Sequence, residues 1–150
     1  MSDEAVDLSP IVPTEPPDYK QVQLLTKLLF SEVDKGKRME VDAPAVAHVA
    51  LNRVGGRWGN TLEEVVFAPK QFSGVGTKEW NKADKGDMTA EEFSKYKRLY
   101  SIASGAIRGT IPDPTGGANH YFNPKLVKPS WSKGMKNTYT SDAHDFYVGK

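Results

Sequence analysis

The 150-residue chain contains no cysteine. That excludes disulfides, thiolate metal sites, iron–sulfur clusters and a thiol nucleophile, and it fits any redox compartment. Neither sign of charge is in excess: 20 basic and 19 acidic side chains leave a formal net charge of +1. Nucleic-acid binders usually carry a basic excess, so nucleic acid is not an expected partner. No apolar run approaches the roughly 18 residues of a membrane span. Met1 to Pro17 also lacks the basic start and apolar stretch of a secretory signal. That segment is acidic and holds four of the ten prolines. Residues 1–17 therefore read as a flexible or extended tail. Residues 18–150 read as one domain, long enough for a single core. No internal repeat is visible. No Gly-x-Ser-x-Gly elbow is present, which argues against a serine hydrolase of that type.

What is present is helical periodicity. Asp18 and Gln21 predict the capped start of a first helix, with Val22, Leu25, Leu28, Leu29 and Val33 on one face. The run Asp34-Lys35-Gly36-Lys37 should break it. A second helix is expected from about Ala43, capped by Asp42, with Pro44 in its first turn. It is small and apolar nearly all round, the pattern of a central buried helix. Thr61 and Glu64 suggest a capping box for a short third helix, and Pro69 ends it. Lys70 to Met88 reads as loop. Thr89 and Glu92 suggest a capping box for a long helix with Phe93, Tyr96, Tyr100, Ala103 and Ile107 in register. Beyond Pro112 the chain is turn-rich, with candidate strands at Asn119–Phe122 and Ser141–Val148. The expected class is a mainly helical α+β domain with a small β-sheet in the second half.

One acidic residue lies on an apolar stripe. Glu32 follows Leu25, Leu28 and Leu29 by seven, four and three residues, so it shares their helix face. Burial there disfavours the charged form, and the negative end of the helix dipole acts in the same direction. Both effects suit a general acid. Taken alone, the position better describes an acid that ends a helix and turns to water.

The neighbouring segments change that balance. Leu28-Leu29-Phe30-Ser31-Glu32 is followed by Ala45-Val46-Ala47-His48-Val49-Ala50-Leu51-Asn52-Arg53-Val54. Then come Thr61-Leu62-Glu63-Glu64-Val65-Val66, Gln71-Phe72-Ser73, and Asp113-Pro114-Thr115-Gly116-Gly117-Ala118-Asn119-His120-Tyr121-Phe122. Pro129-Ser130-Trp131 and His144-Asp145-Phe146-Tyr147 complete the series. In that order the segments resemble the spore-cortex-lytic family of bacterial cell-wall hydrolases, which also has phage members. The resemblance spans about residues 20–147. It implies a lysozyme-like fold, peptidoglycan glycan strands as substrate, and Glu32 as a single catalytic acid. The implied reaction is lytic transglycosylation between N-acetylmuramic acid and N-acetylglucosamine. The residues after Glu32 depart from the family's Ala-Arg-Gly-Glu run. The segment before Asn52 is about two residues longer than usual, and Glu40 or Asp42 is the nearest substitute for the run's second acid.

Around Glu32, Gln71 and Ser73 read as hydrogen-bonding partners of the sugar or of Glu32, or as ordinary polar loop residues. Phe72 between them reads as core. Asn119, His120 and Tyr121 follow a glycine turn that lets backbone approach a ligand. His120 reads as structural or as a supporting hydrogen bonder. Tyr147 could orient the sugar or pack in the core, and Trp131 could stack on a sugar or be structural. Asn52 and Arg53 read as holding loops together.

No second carboxylate has a comparable apolar setting, which favours one acid acting in both directions. No cofactor or metal is expected. A zinc amidase is the main enzymatic rival, but His48, His120 and His144 show no paired ligand spacing. A non-catalytic wall-binding or virion module is the other rival. With no secretory signal, delivery would come from a virus particle, a lysis partner engaged by the tail, or a leader outside this sequence.

Overall fold

The first helix, α1, shows why the apolar spacing matters. A computed structural model describes residues 18–33, 39–141 and 143–149. The tail at 1–17, the break at 34–38 and Asp142 lie outside the described residues. In it α1 runs Tyr19–Glu32 and fully buries Val22, Leu25, Leu28 and Leu29. Burying each such side chain contributes about 1.5–3 kcal/mol. The start of α1 differs from the capping-box expectation. The Asp18 side chain caps nothing and instead takes Arg108 at 3.3 Å. Gln21 donates to Glu63 at 2.8 Å. Both polar groups found partners from other elements, and these outcompeted the local ones.

Helix α2 is Met39–Arg53, with ten of its 15 residues buried. It is the central helix its composition suggests. It begins four residues earlier than expected, so Asp42 is not a cap. Asp42 is 2% exposed and bonded to Ser141 and His144, distant partners that no local pattern reveals. Pro44 therefore lies inside the helix. The carbonyl it leaves without an N–H belongs to exposed Glu40, where water can serve.

The short helix α3 is Leu62–Val66. Thr61 caps it by accepting the Glu64 N–H, while Glu64 Oε1 reaches the Asn60 N–H. The predicted loop after Lys70 contains a further helix, α4, Lys78–Lys85. Thr77 caps it and Gly86, at φ 72°, ends it. Only Trp80 and Ala83 are buried on this helix, too few to show as a periodic stripe. Helix α5, Ala90–Arg108, has the full Thr89–Glu92 capping box. Its buried residues are Leu99, Ala103, Gly105 and Ala106; Phe93, expected inward, is 48% exposed. α5 packs along α1 and α2.

The second half forms a three-stranded antiparallel sheet. Strand β1 is His120–Phe122, a 3-10 turn spans Ser130–Gly134, β2 is Lys136–Thr140 and β3 is Asp145–Val148. β3 lies between the other two. β2 was not expected, because Lys-Asn-Thr-Tyr-Thr is a polar edge strand without alternation. In the β1–β3 register His120 faces Tyr147 and Tyr121 faces Phe146. Cross-strand partners share a face and successive residues alternate. Tyr121 and fully buried Phe146 therefore share one face, packed on the core. His120, Phe122 and Tyr147 share the other, against Trp131.

Candidate active site

Glu32 is the last residue of α1 and lies half-buried at the floor of a cleft of about 560 Å³. Its carboxyl group is held from two sides. Oε1 accepts the Tyr121 hydroxyl at 2.5 Å, and Oε2 accepts the Gly74 N–H at 2.5 Å. Each oxygen keeps a second lone pair, so the carboxyl can carry a proton without giving up either donor.

The loop that presents Gly74 is anchored by Phe72, 5% exposed, as its reading as core requires. The Gly74 carbonyl accepts both the N–H and the hydroxyl of Thr77, at 3.2 and 2.6 Å, at the cap of α4. Gly74 must lack a side chain, since a Cβ there would lie 2.6 Å from Glu32 Oε2. Gln71 and Ser73, exposed on either side of Phe72, line the cleft.

Tyr121 is presented by the core-facing side of β1. Burial, followed by the charge and hydrogen bond of Glu32, pushes its phenol well above 10. It therefore stays a neutral O–H donor at ordinary pH. Behind it, His144 meets the Tyr121 ring edge-on at 4.9 Å. His144 lines the cleft, and its Nδ1 lies 2.9 Å from Asp42 Oδ1. The Asp42 oxygen accepts, which places a proton on Nδ1. Asp42 Oδ2 is buried without a hydrogen-bond partner among the described residues. Glu40, the other candidate for the family's second acid, is exposed and ion-paired with Arg98.

Arg53 lines the same cleft while only 5% exposed. Its Nε donates to the Asn119 carbonyl at 2.7 Å and Nη1 to Gln71 Oε1 at 3.5 Å. Its guanidinium lies over Trp58 and Phe72. Burial lowers its pKa to about 10, with Arg57 acting in the same direction and Glu32 against it. The side chain is still a cation at neutral pH. Asn52 beside it donates to Asp113 and to the Ala118 carbonyl. The end of α2 thus holds together the loops that carry the site.

The remaining predicted site residues are placed elsewhere. Asn119 ties its amide to the backbone of Gly149 in both directions, at 2.7 and 3.0 Å. His120 is wedged between Trp58 and Trp131, with Nδ1 2.8 Å from Asn119 Oδ1. Burial lowers its pKa to about 4, and the charges of Arg53 and Arg57 act the same way, so it is neutral at pH 7. Tyr147 stacks on Phe122 and meets Trp131 edge-on. None of these three lines the cleft, whereas Glu32, Gln71, Ser73 and Tyr121 meet there. Gly74, Arg53 and His144 were not picked out from sequence as site residues, and Asp42 was named only as a substitute for the family's second acid. The nearest signal was the glycine directly after Gln71-Phe72-Ser73. Among the described residues, no group of three or more His, Asp or Glu side chains could hold a metal. His48 lies 2.8 Å from the Ile111 carbonyl, a bond between helix and loop.

The family model described as "cell wall hydrolase" matches residues 39–147. The match covers every site element except α1, which carries Glu32. No curated protein matches the chain. Among solved structures, the catalytic domain of the germination-specific lytic transglycosylase SleB from Bacillus anthracis is similar, with a TM-score of 0.62 and 26% identity. The alignment covers 91% of this chain and 99% of that one. The catalytic domain of the Bacillus cereus SleB protein gives a TM-score of 0.63 at 26% identity, covering 91% and 94%. Both alignments cover more of this chain than the family model's match does. The chain belongs to the cell wall hydrolase family and is a peptidoglycan-cleaving enzyme.

Proposed function

We propose that the protein is a lytic transglycosylase that cuts glycan strands between N-acetylmuramic acid and N-acetylglucosamine, with Glu32 as its one acid and base. The observation that carries this reading is the cleft lining: Glu32 holds the only carboxylate among the described residues there. Two-carboxylate glycosidases need a second acid within roughly 5–9.5 Å across the scissile bond. With one, the sugar's own C6 hydroxyl is the nucleophile this reading assigns. Similarity to a protein named as a lytic transglycosylase supports the same reading.

The steps balance on one proton. Glu32 gives its proton to the glycosidic oxygen as the C1–O bond breaks, and the N-acetylglucosamine hydroxyl leaves. The oxocarbenium-like muramyl centre faces the carboxylate just formed. That carboxylate then takes the proton of the muramyl C6 hydroxyl as its oxygen closes on C1. The product end is 1,6-anhydromuramyl, and Glu32 is again protonated. The Gly74 N–H and the Tyr121 O–H are already aimed at the carboxyl group, so they stabilise its charge without reorganisation. Arg53 adds a fixed positive charge nearby.

Glu32→Gln keeps the side-chain shape and removes the proton. It should lower the release of soluble muropeptides from purified peptidoglycan by about two to four orders of magnitude. Undiminished digestion by that variant would sink the assignment. Mass spectrometry of the wild-type products decides the reaction: anhydromuramyl ends support transglycosylation, reducing ends mean hydrolysis by water, and free stem peptides mean an amidase.

A further inference from the structure

The rim of the cleft carries features that the chemistry at Glu32 does not use. Lys70 and Lys125 both line the cleft and are exposed. Among the described residues, neither side chain has an ion pair or hydrogen bond. Lys70 is also the one described non-glycine residue with a left-handed backbone, at φ 61°. That conformation costs about 1–2 kcal/mol and persists where surrounding structure imposes it.

The turn after β1 supplies the rest of the rim. Asn123 builds it: its carbonyl accepts the N–H groups of Leu126 and Val127 at 3.0 and 3.1 Å, and its Oδ1 accepts that of Lys125 at 2.9 Å. The turn raises Leu126 and Val127 into solvent, 78% and 55% exposed. They are two of the five large apolar side chains exposed among the described residues, and both line this cleft. Apolar groups held out on a built turn beside unpaired cations mark a binding surface. Three basic residues line the cleft, Arg53, Lys70 and Lys125, against the single acid Glu32. The ligand that fits such a rim is both acidic and partly apolar. A glycan strand without peptides offers only the lactyl carboxylate of each muramic acid. The stem peptide ties that carboxylate up in an amide and brings carboxylates of its own, together with alanine methyl groups.

We propose that this rim is a subsite for the stem peptide carried by muramic acid. The ammonium groups of Lys70 and Lys125 pair with its carboxylates, and Leu126 and Val127 cover its methyl groups. The subsite rests on the glycan-strand reading above and names the substrate class within it: peptide-bearing strands in preference to peptide-free ones.

The test uses the full chain at low salt on two substrates. One is purified peptide-bearing peptidoglycan; the other is the same strands stripped of peptide by an amidase. The expected kcat/KM is about tenfold higher on peptide-bearing strands, the combined weight of two exposed ion pairs. The preference should shrink as added salt shortens the screening length. The double variant Lys70→Glu with Lys125→Glu should bring the two substrates to within about twofold. The neutral pair Lys70→Gln with Lys125→Gln should narrow the gap in the same direction without adding repulsion. Equal cleavage of both strands by the wild-type enzyme overturns the subsite, as does a preference that survives both pairs of substitutions. Failure to cleave either strand overturns the glycan-strand reading on which it rests.

Discussion

Gly74→Ala isolates the geometry of the candidate acid from its chemistry, because it leaves Glu32 itself intact. The new methyl group would stand 2.6 Å from Glu32 Oε2 and 2.8 Å from Ser31 Cβ, and closer still to Ser31 Oγ. Ordinary carbon contacts lie at about 3.5 Å or beyond. Either the carboxyl group or the loop must therefore retreat by roughly 0.7–1 Å. Retreat breaks the 2.5 Å bond from the Gly74 N–H. A misplacement of about 1 Å at a reacting group costs on the order of 10²-fold. Loss of one hydrogen bond to a charged acceptor costs about 1.5–3 kcal/mol, which is the same range. We expect kcat to fall about 10²-fold, read as release of soluble muropeptides under saturating peptidoglycan. Overpacking should also cost about 1–3 kcal/mol of stability, so the assay must run well below the variant's melting temperature. Gly86→Ala is the matched control. Its φ of +72° makes alanine strained, yet its Cβ would meet nothing within 4 Å. It should lose about 1 kcal/mol of stability and keep full activity. A Gly74→Ala enzyme within threefold of wild type would refute the assigned geometry.

Tyr121→Phe removes the other donor to Glu32 and keeps the ring against Phe146. It should cost about 10- to 100-fold in kcat with KM little changed; a rise in KM with kcat unchanged would assign Tyr121 to substrate binding instead. His120 predicts a pH effect on stability rather than on chemistry. Its folded pKa of about 4 lies below the ordinary 6.5, so on acidification the unfolded chain takes up the proton first. The stability held by neutral His120 is complete above pH 6.5 and is lost as pH falls toward 4. The gap in melting temperature between wild type and His120→Gln should therefore narrow from pH 7 to pH 4, and a pH-independent gap would contradict the burial argument.

Helical periodicity made the frame legible before any coordinates. The stripe of α1 and the small, apolar α2 declare themselves because the core they fill is large and regular. α4 and β2 did not, since two buried residues on one and a polar edge on the other leave no pattern to read. The boundary of α2 was misplaced for a related reason. Asp42 looks like a cap, and only Ser141 and His144, between β2 and β3, show why it is inside. In the site, Glu32 was visible as an acid on an apolar face. Asn119, Tyr121 and Tyr147 were each open between a site role and a structural one, and His120 read as structural or supporting. Strand alternation sorts them, sending Tyr121 inward to Glu32 and His120 and Tyr147 to the opposite face. Sequence alone leaves that choice open, because shifting the register by one residue exchanges the two faces.

The donors to Glu32 come from 42 and 89 residues further along the chain. During synthesis, α1 emerges first and its carboxylate has neither partner. The loop bearing Gly74 follows, and the strand bearing Tyr121 comes later still. A nascent or truncated chain therefore carries the acid without the device that holds it. In the proposed mechanism the holding arrangement is thus a property of the folded-back domain: a fragment that stops before β1 would carry Glu32 without the hydroxyl that orients it.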